Sequence, residues 1–219
     1  MARDVVTNTH PLLAVLLDAA RDVFPAVDGR AVLVPPLDGG LEAVVSFTGH
    51  AVLATSLPRE EFPPLDGFGG ALRPAVLSRL AGADGEVNDI DVTLAAFGHV
   101  GGTLAARVDL DDHPRVLHAR HWRADVRVFG DDRGLVTVSR GLAGRTELSV
   151  ETSQPGVGRA LIADALGLVA AGEPVFAAVA PGNARSLRAF LAAGFRPVAS
   201  EVLIKVGRLS LASARQRRA

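Results

Sequence analysis

One apolar run near the C-terminus constrains the fold more than any other part of the chain. Pro174 to Ala180 reads PVFAAVA, with no polar side chain, and lies between two helical patterns that each close on a glycine. The first pattern runs from Gly156 to Ala171 and is closed by Gly172; the second runs from Asn183 to Ala193 and is closed by Gly194. Glycine just past a helix end adopts the left-handed conformation that satisfies the last carbonyls. A short run without polar alternation fits a strand buried on both faces, as a parallel strand is. Val198–Val206 follows as a final strand. Strand, helix, strand and helix in this order imply a parallel crossover step.

The segment before it reads as antiparallel. Asp91–Phe97 is a strand, Gly98–Gly102 a glycine-rich turn, and His113–Trp122 a short helix introduced by Asp111, Asp112 and Pro114. Val126–Phe129 and Leu135–Ser139 flank Gly130-Asp131-Asp132-Arg133-Gly134, a hairpin pattern, and Thr146–Glu151 is a further strand. The fold class is therefore α/β (α+β): a mixed, mostly antiparallel sheet with helices on both faces. Residues 1–85 form an N-terminal α/β extension. It contains a helix over Pro11–Phe24 (Leu12, Leu16, Ala19, Ala20 and Val23 at helical spacing), strands at Ala31–Val34, Leu41–Phe47 and Ala51–Thr55, and a helix at Ala71–Leu80 with Pro74 in its first turn. The small, polar stretch Ala81–Asn88 marks the boundary. The main domain is 86–207, and 208–219 is a basic tail.

Composition narrows the function. The 219 residues are 48% hydrophobic and 21% charged, which is enough apolar material for a core. The net charge of −1 disfavours a general nucleic-acid binder. With no cysteine there are no disulfides, thiolate metal sites or thiol nucleophiles. The run from Pro11 is broken at Asp18, far short of the roughly 20 residues that a membrane span needs. Arg3-Asp4 does not open a signal peptide, so a cytoplasmic location is expected, with no membrane or nucleic-acid partner.

Gly156-Val157-Gly158 stands between a strand and a helix. Glycines there admit close approach of a ligand, and the free amides of a first helical turn favour an anion such as a pyrophosphate. A plain strand-to-helix turn would use the same residues, so the three positions alone do not decide. The segment Val179 to Pro197, VAPGNARSLRAFLAAGFRP, is more specific. Together with the preceding strand and GVGRAL, it resembles the C-terminal signature of the GCN5-related N-acetyltransferase (GNAT) superfamily. The resemblance covers about Asp91 to Val206.

That resemblance implies an acyl-CoA-dependent acyltransferase. CoA pyrophosphate would lie on the loop and helix start at Gln154, Gly156, Val157, Gly158, Arg159 and Ala160. The pantetheine arm would run beside Thr146–Glu151, between two strands that splay apart, with backbone groups of Leu148 to Val150 holding the thioester. Asn183 and Ser186 match positions that contact the CoA arm. Acetyl-CoA is the implied co-substrate, no metal is implied, and the acceptor is a small-molecule or peptide amine attacking the thioester directly.

Two departures separate the chain from the family pattern. The family loop reads Arg/Gln-x-x-Gly-x-Gly/Ala; here Ser153 falls at its first position, Gln154 comes one residue late, and Pro155 removes an amide. Many relatives protonate the leaving thiolate with a Tyr, at the position of Phe190, and this chain has no Tyr. Either a water, Ser186 or another group is then the donor, or acetyl transfer is inefficient. Glu147 and Glu151 share a strand face with Ser149, and Glu147 matches the place from which some relatives draw a general base. A solvated strand-face carboxylate is the plain alternative for both. His113, His118 and His121 read as a polar helix face, or the latter two as a metal pair.

The expected function is thus an acetyl-CoA-dependent N-acyltransferase, with Glu147 and Ser186 as candidate catalytic residues. The rival is a catalytically weak or inactive acyl-CoA-binding or protein-interaction module on a GNAT scaffold. Residues 1–85 would complete the acceptor pocket, form a homodimer contact, or represent a decayed half of a tandem pair.

Overall fold

The structure is a computed structural model and describes residues 9–207. The expected basic tail lies outside the described residues. In chain order the elements are α1 (Pro11–Ala20), β1 (Ala31–Val34), β2 (Leu41–Phe47), β3 (His50–Ala54), α2 (Pro74–Ala81), β4 (Glu86–Val87), β5 (Asp91–Phe97), β6 (Ala105–Ala106), α3 (Pro114–Trp122), β7 (Ala124–Asp131), β8 (Gly134–Arg140), β9 (Thr146–Thr152), α4 (Gly158–Leu166), β10 (Pro174–Val179), α5 (Ala184–Ala192) and β11 (Arg196–Lys205). This is a mixed α/β fold whose strand pairings are mostly antiparallel.

The described residues form two compact units, one of residues 9–25 and 92–198, the other of 26–91 and 199–207. In the first unit the strand order is β5-β10-β9-β8-β7-β6. β10 runs antiparallel to β5 from Pro174↔Phe97 to Val179↔Val92, and parallel to β9 at a single pair, Phe176↔Glu147. Its all-apolar sequence thus reflects cover on both faces, not two parallel neighbours. Val175, Ala177 and Val179 pack into a core with Leu161, Ile162, Ala165 and Leu166 of α4 and Phe190 of α5. Each such leucine, isoleucine or phenylalanine contributes about 1.5–3 kcal/mol through burial. Successive strand residues face opposite sides. Leu148 joins this core, while Ser149 accepts from Arg115 and Glu147 from Arg123, both of the α3 region. Helices therefore cover both faces of this sheet.

Two helices are shorter than their sequence patterns. α1 stops at Ala20 because Asp22 turns left-handed (φ 64°), leaving Val23 and Phe24 exposed. α4 spans only Gly158–Leu166. At Gly167 the backbone packs so closely on Gly102 that a Cβ would lie 2.1 Å from the Gly102 nitrogen. Gly172, at φ 80°, closes the turns that follow and not the helix itself.

The second unit orders its strands β1-β3-β2-β11, with β4 paired to the last two residues of β11. β2 and β3 form a hairpin around Thr48-Gly49, and β1 lies parallel to β3. Val44, Leu53, Val76, Leu80, Val202 and Ile204 build its core.

Candidate functional site

The site begins where β9 leaves β10. After Phe176↔Glu147 no residue of β9 has a partner on β10, whereas β8 follows β9 all the way to Thr152. From Leu148 to Thr152 one edge of β9 is therefore without a strand. The gap widens toward the start of α4 and α5 into a cleft of about 410 Å³.

Several sequence-nominated residues meet there: Val150, Gly156, Gly158, Arg159, Asn183 and Ser186 all line the cleft. The others do not. Leu148 is in the core beneath it. Gln154 and Ala160 are exposed, and Val157 stands at the N-cap of α4. No side chain caps that helix. The amides of its first turn are thus left for solvent or a ligand, since they have no partner within the helix. Gly156 supplies the left-handed turn (φ 90°) before the helix. Gly158 keeps the cleft open: a Cβ there would sit 3.3 Å from the Ala189 Cβ and 3.6 Å from the Thr152 Cγ2. α5 is different, because the Asn183 side chain accepts from the Ser186 amide at 3.1 Å and caps it.

The cleft also holds residues that the sequence reading did not nominate. Arg115, Arg185, Thr152 and Ala189 complete it, so three guanidinium groups (Arg115, Arg159, Arg185) face one carboxylate, Glu151. Such a surplus of positive charge beside uncapped amides suits a polyanion. Arg185 was within reach of sequence reasoning, as an arginine in the first turn of the helix behind Asn183. Arg115 was not, being 36 residues from Glu151 in sequence. Its Nε donates to Glu151 Oε2 at 3.0 Å and its Nη1 to Ser149 Oγ at 3.2 Å.

Glu147 is elsewhere. Its carboxylate accepts from the Arg123 Nε, from the Arg145 Nε at 2.8 Å and from the Leu142 amide at 3.0 Å, with 2% of the side chain exposed. Burial raises its affinity for a proton, but the charges of Arg145 and Arg123 and the hydrogen bonds from Arg123 and the Leu142 amide outweigh that and hold it down at about 2. A carboxylate so placed is a poor proton acceptor and has no access to the cleft. Its position explains Gly141, where a Cβ would lie 2.0 Å from the Glu147 Cδ. Arg145 in turn stacks on Phe176, 4.8 Å from the ring centroid, so the cluster clamps the last paired residues of β9 and β10. Glu151, by contrast, lines the cleft, and its Oε1 lies 3.8 Å from the Nε2 of His113.

Phe190 is core. It is 3% exposed and packs edge-to-face on Phe195 at 4.9 Å. Among the described residues no three His, Asp or Glu side chains gather as a metal site would need. Among the same residues no helix is long and apolar enough to cross a membrane.

Two solved structures are similar in fold to part of this chain. One, described as a GCN5-related N-acetyltransferase from Kribbella flavida, is 15% identical with a TM-score of 0.35; the match covers 59% of this chain and 62% of that one, under two thirds of its length. The other, described as an acetyltransferase of the GNAT family from Novosphingobium aromaticivorans, is 18% identical with a TM-score of 0.36, covering 58% of this chain and 70% of that one. No protein-family model and no curated protein matches the chain.

Proposed function

We propose that the protein is an acyl-CoA-dependent N-acyltransferase that uses acetyl-CoA and acts on an amine. The observation that carries this reading is the single parallel pair between β9 and β10, which opens a cleft onto the uncapped start of α4. A polyphosphate fits the donors found there: first-turn amides, Arg159 and Arg185, and a floor that a side chain at Gly158 would fill. When bound, acetyl-CoA supplies an activated acyl carbon for direct attack.

The chain's own residues then orient and exchange protons. The free edge of β9 at Leu148–Val150 aligns the thioester, so that positioning supplies much of the rate. Ser186 presents a hydroxyl in the cleft and serves as proton donor in place of the tyrosine that Phe190 displaces. Glu151, the only carboxylate among the described cleft residues, receives the amine proton. A second cleft of about 190 Å³, lined in part by Leu110, His113, Asp131 and Leu135, shares Glu151 and Thr152 with the first and gives the amine an approach. We place the enzyme in the cytoplasm.

The rival, a CoA-binding module without turnover, draws on Phe190. Two measurements separate them. CoA and acetyl-CoA should each raise the melting temperature, because they bind only the native state. Thiol release from acetyl-CoA should then appear with at least one member of an amine panel. Stabilisation without turnover supports the binding module; neither effect overturns the cofactor assignment.

A further inference from the structure

We propose that the turn between β7 and β8 is the element that sets the position of the anion-binding loop, with Arg133 as its positioning residue. The inference rests on the cofactor reading above for its consequence in binding, but its geometry is independent of it. Arg133 is not part of the cleft lining. The turn fastens two neighbouring pieces of chain, one through its main-chain carbonyls and one through the Arg133 side chain, and packs closely against a third.

The first is the beginning of the loop. The Ser153 amide donates to the Arg133 carbonyl at 2.9 Å, and the Ser153 hydroxyl donates to the Asp132 carbonyl at 2.7 Å. Ser153 occupies the first position of the family loop pattern, so here that position is spent on the hairpin and not on a ligand. The second is the helix. The Arg133 guanidinium holds Asp131 through Nε (3.1 and 3.0 Å) and reaches Asp164 of α4 through Nη2 at 2.5 Å. The third is the end of β9. Gly134, at φ 145°, presses against it so closely that a Cβ would lie 2.0 Å from the Glu151 carbonyl oxygen.

Residues 154–157 therefore span between two anchors, Ser153 and α4, that are both fastened to the same turn. Charge-assisted bonds from a planar, forked guanidinium fix direction as well as distance, which lysine does not reproduce. If the amides at the start of α4 bind pyrophosphate, their separation from the free edge of β9 is set by this turn. Losing it leaves the amides intact but lets the loop and helix start wander.

The test uses the full chain with Arg133→Ala and Asp164→Asn. Three quantities are read: CoA affinity by calorimetry, KM and kcat for acetyl-CoA, and amide hydrogen exchange of residues 154–160 compared with α5. Arg133→Ala should weaken CoA at least fivefold and raise KM by more than it lowers kcat. Exchange in 154–160 should quicken at least tenfold while α5 is unchanged. Asp164→Asn, which keeps the side-chain shape, should move all three the same way by less, and decides the matter if the alanine variant does not fold. Unchanged exchange in both variants overturns the proposal, as does faster exchange spread equally over α5, which would mark a merely stabilising turn. If the wild-type protein binds no CoA, the cofactor reading fails and the exchange result alone decides the role of the turn.

Discussion

Replacing Glu147 with glutamine separates a catalytic carboxylate from a structural one. The substitution keeps the shape and one acceptor oxygen for the Leu142 amide. It removes the charge that neutralises Arg123 and Arg145 and leaves two guanidinium groups facing each other, one with a fully buried side chain. The guanidinium groups of Arg145 and Arg123 hold the carboxyl well below its ordinary value, so the native state prefers the charged form. Breaking a buried ion pair by removing one partner typically costs about 3–5 kcal/mol. For a chain of this size each kcal/mol lowers the melting temperature by about 2–4 °C. Glu147→Gln should therefore melt roughly 6–20 °C lower.

The pH dependence carries the same signature. A carboxyl whose native pKa is depressed stabilises the fold above its ordinary value and loses that contribution as pH falls. Wild-type stability should drop between pH 4.5 and about 2, and Glu147→Gln should lack that part of the drop. The assay is urea or thermal unfolding by circular dichroism at several pH values, alongside thiol release at neutral pH under conditions where both forms are folded. A variant that melts within 1–2 °C of the wild type but has lost turnover would refute the argument and return Glu147 to the role of base.

The cleft yields further expectations. Gly158→Leu should weaken CoA at least tenfold, about 1.4 kcal/mol, because the added side chain enters the cleft beside Ala189; calorimetry on the folded variant reads it. Arg159→Ala and Arg185→Ala should each reduce CoA affinity and flatten its dependence on salt, read by calorimetry at two ionic strengths. Phe190→Tyr should not increase thiol release; packed on Phe195, the new hydroxyl has no partner and should cost about 1–3 kcal/mol in an unfolding titration. A gain in rate there would mean that the ring reaches the leaving sulfur after all.

Local chemistry was legible in the chain before its structure. The hairpin at Gly130–Gly134, the helix behind Asn183 closed by Gly194, and the GVG junction are written in residues whose backbone preferences act within a few positions. Periodicity likewise identified α4, because burial repeats with the geometry of the element, and an unbroken apolar run identified β10. Helix ends were less legible where a distant backbone intervenes, as Gly102 does at Gly167.

Which charges meet is set by the fold. Glu147 and Glu151 lie four residues apart on the same strand face and look equivalent in sequence. One is enclosed by Arg145 and Arg123, the other faces the cleft beside Arg115 and His113. Arg123 and Arg115 come from α3 and its edge, more than twenty residues upstream, and no local pattern connects them to β9. Local residue preferences suffice to say where strand, loop and helix succeed one another around β9 and α4. Whether a given carboxylate is a base or a clamp depends on the field of groups brought together through space, and Coulomb energy follows distance in the fold and not separation along the chain.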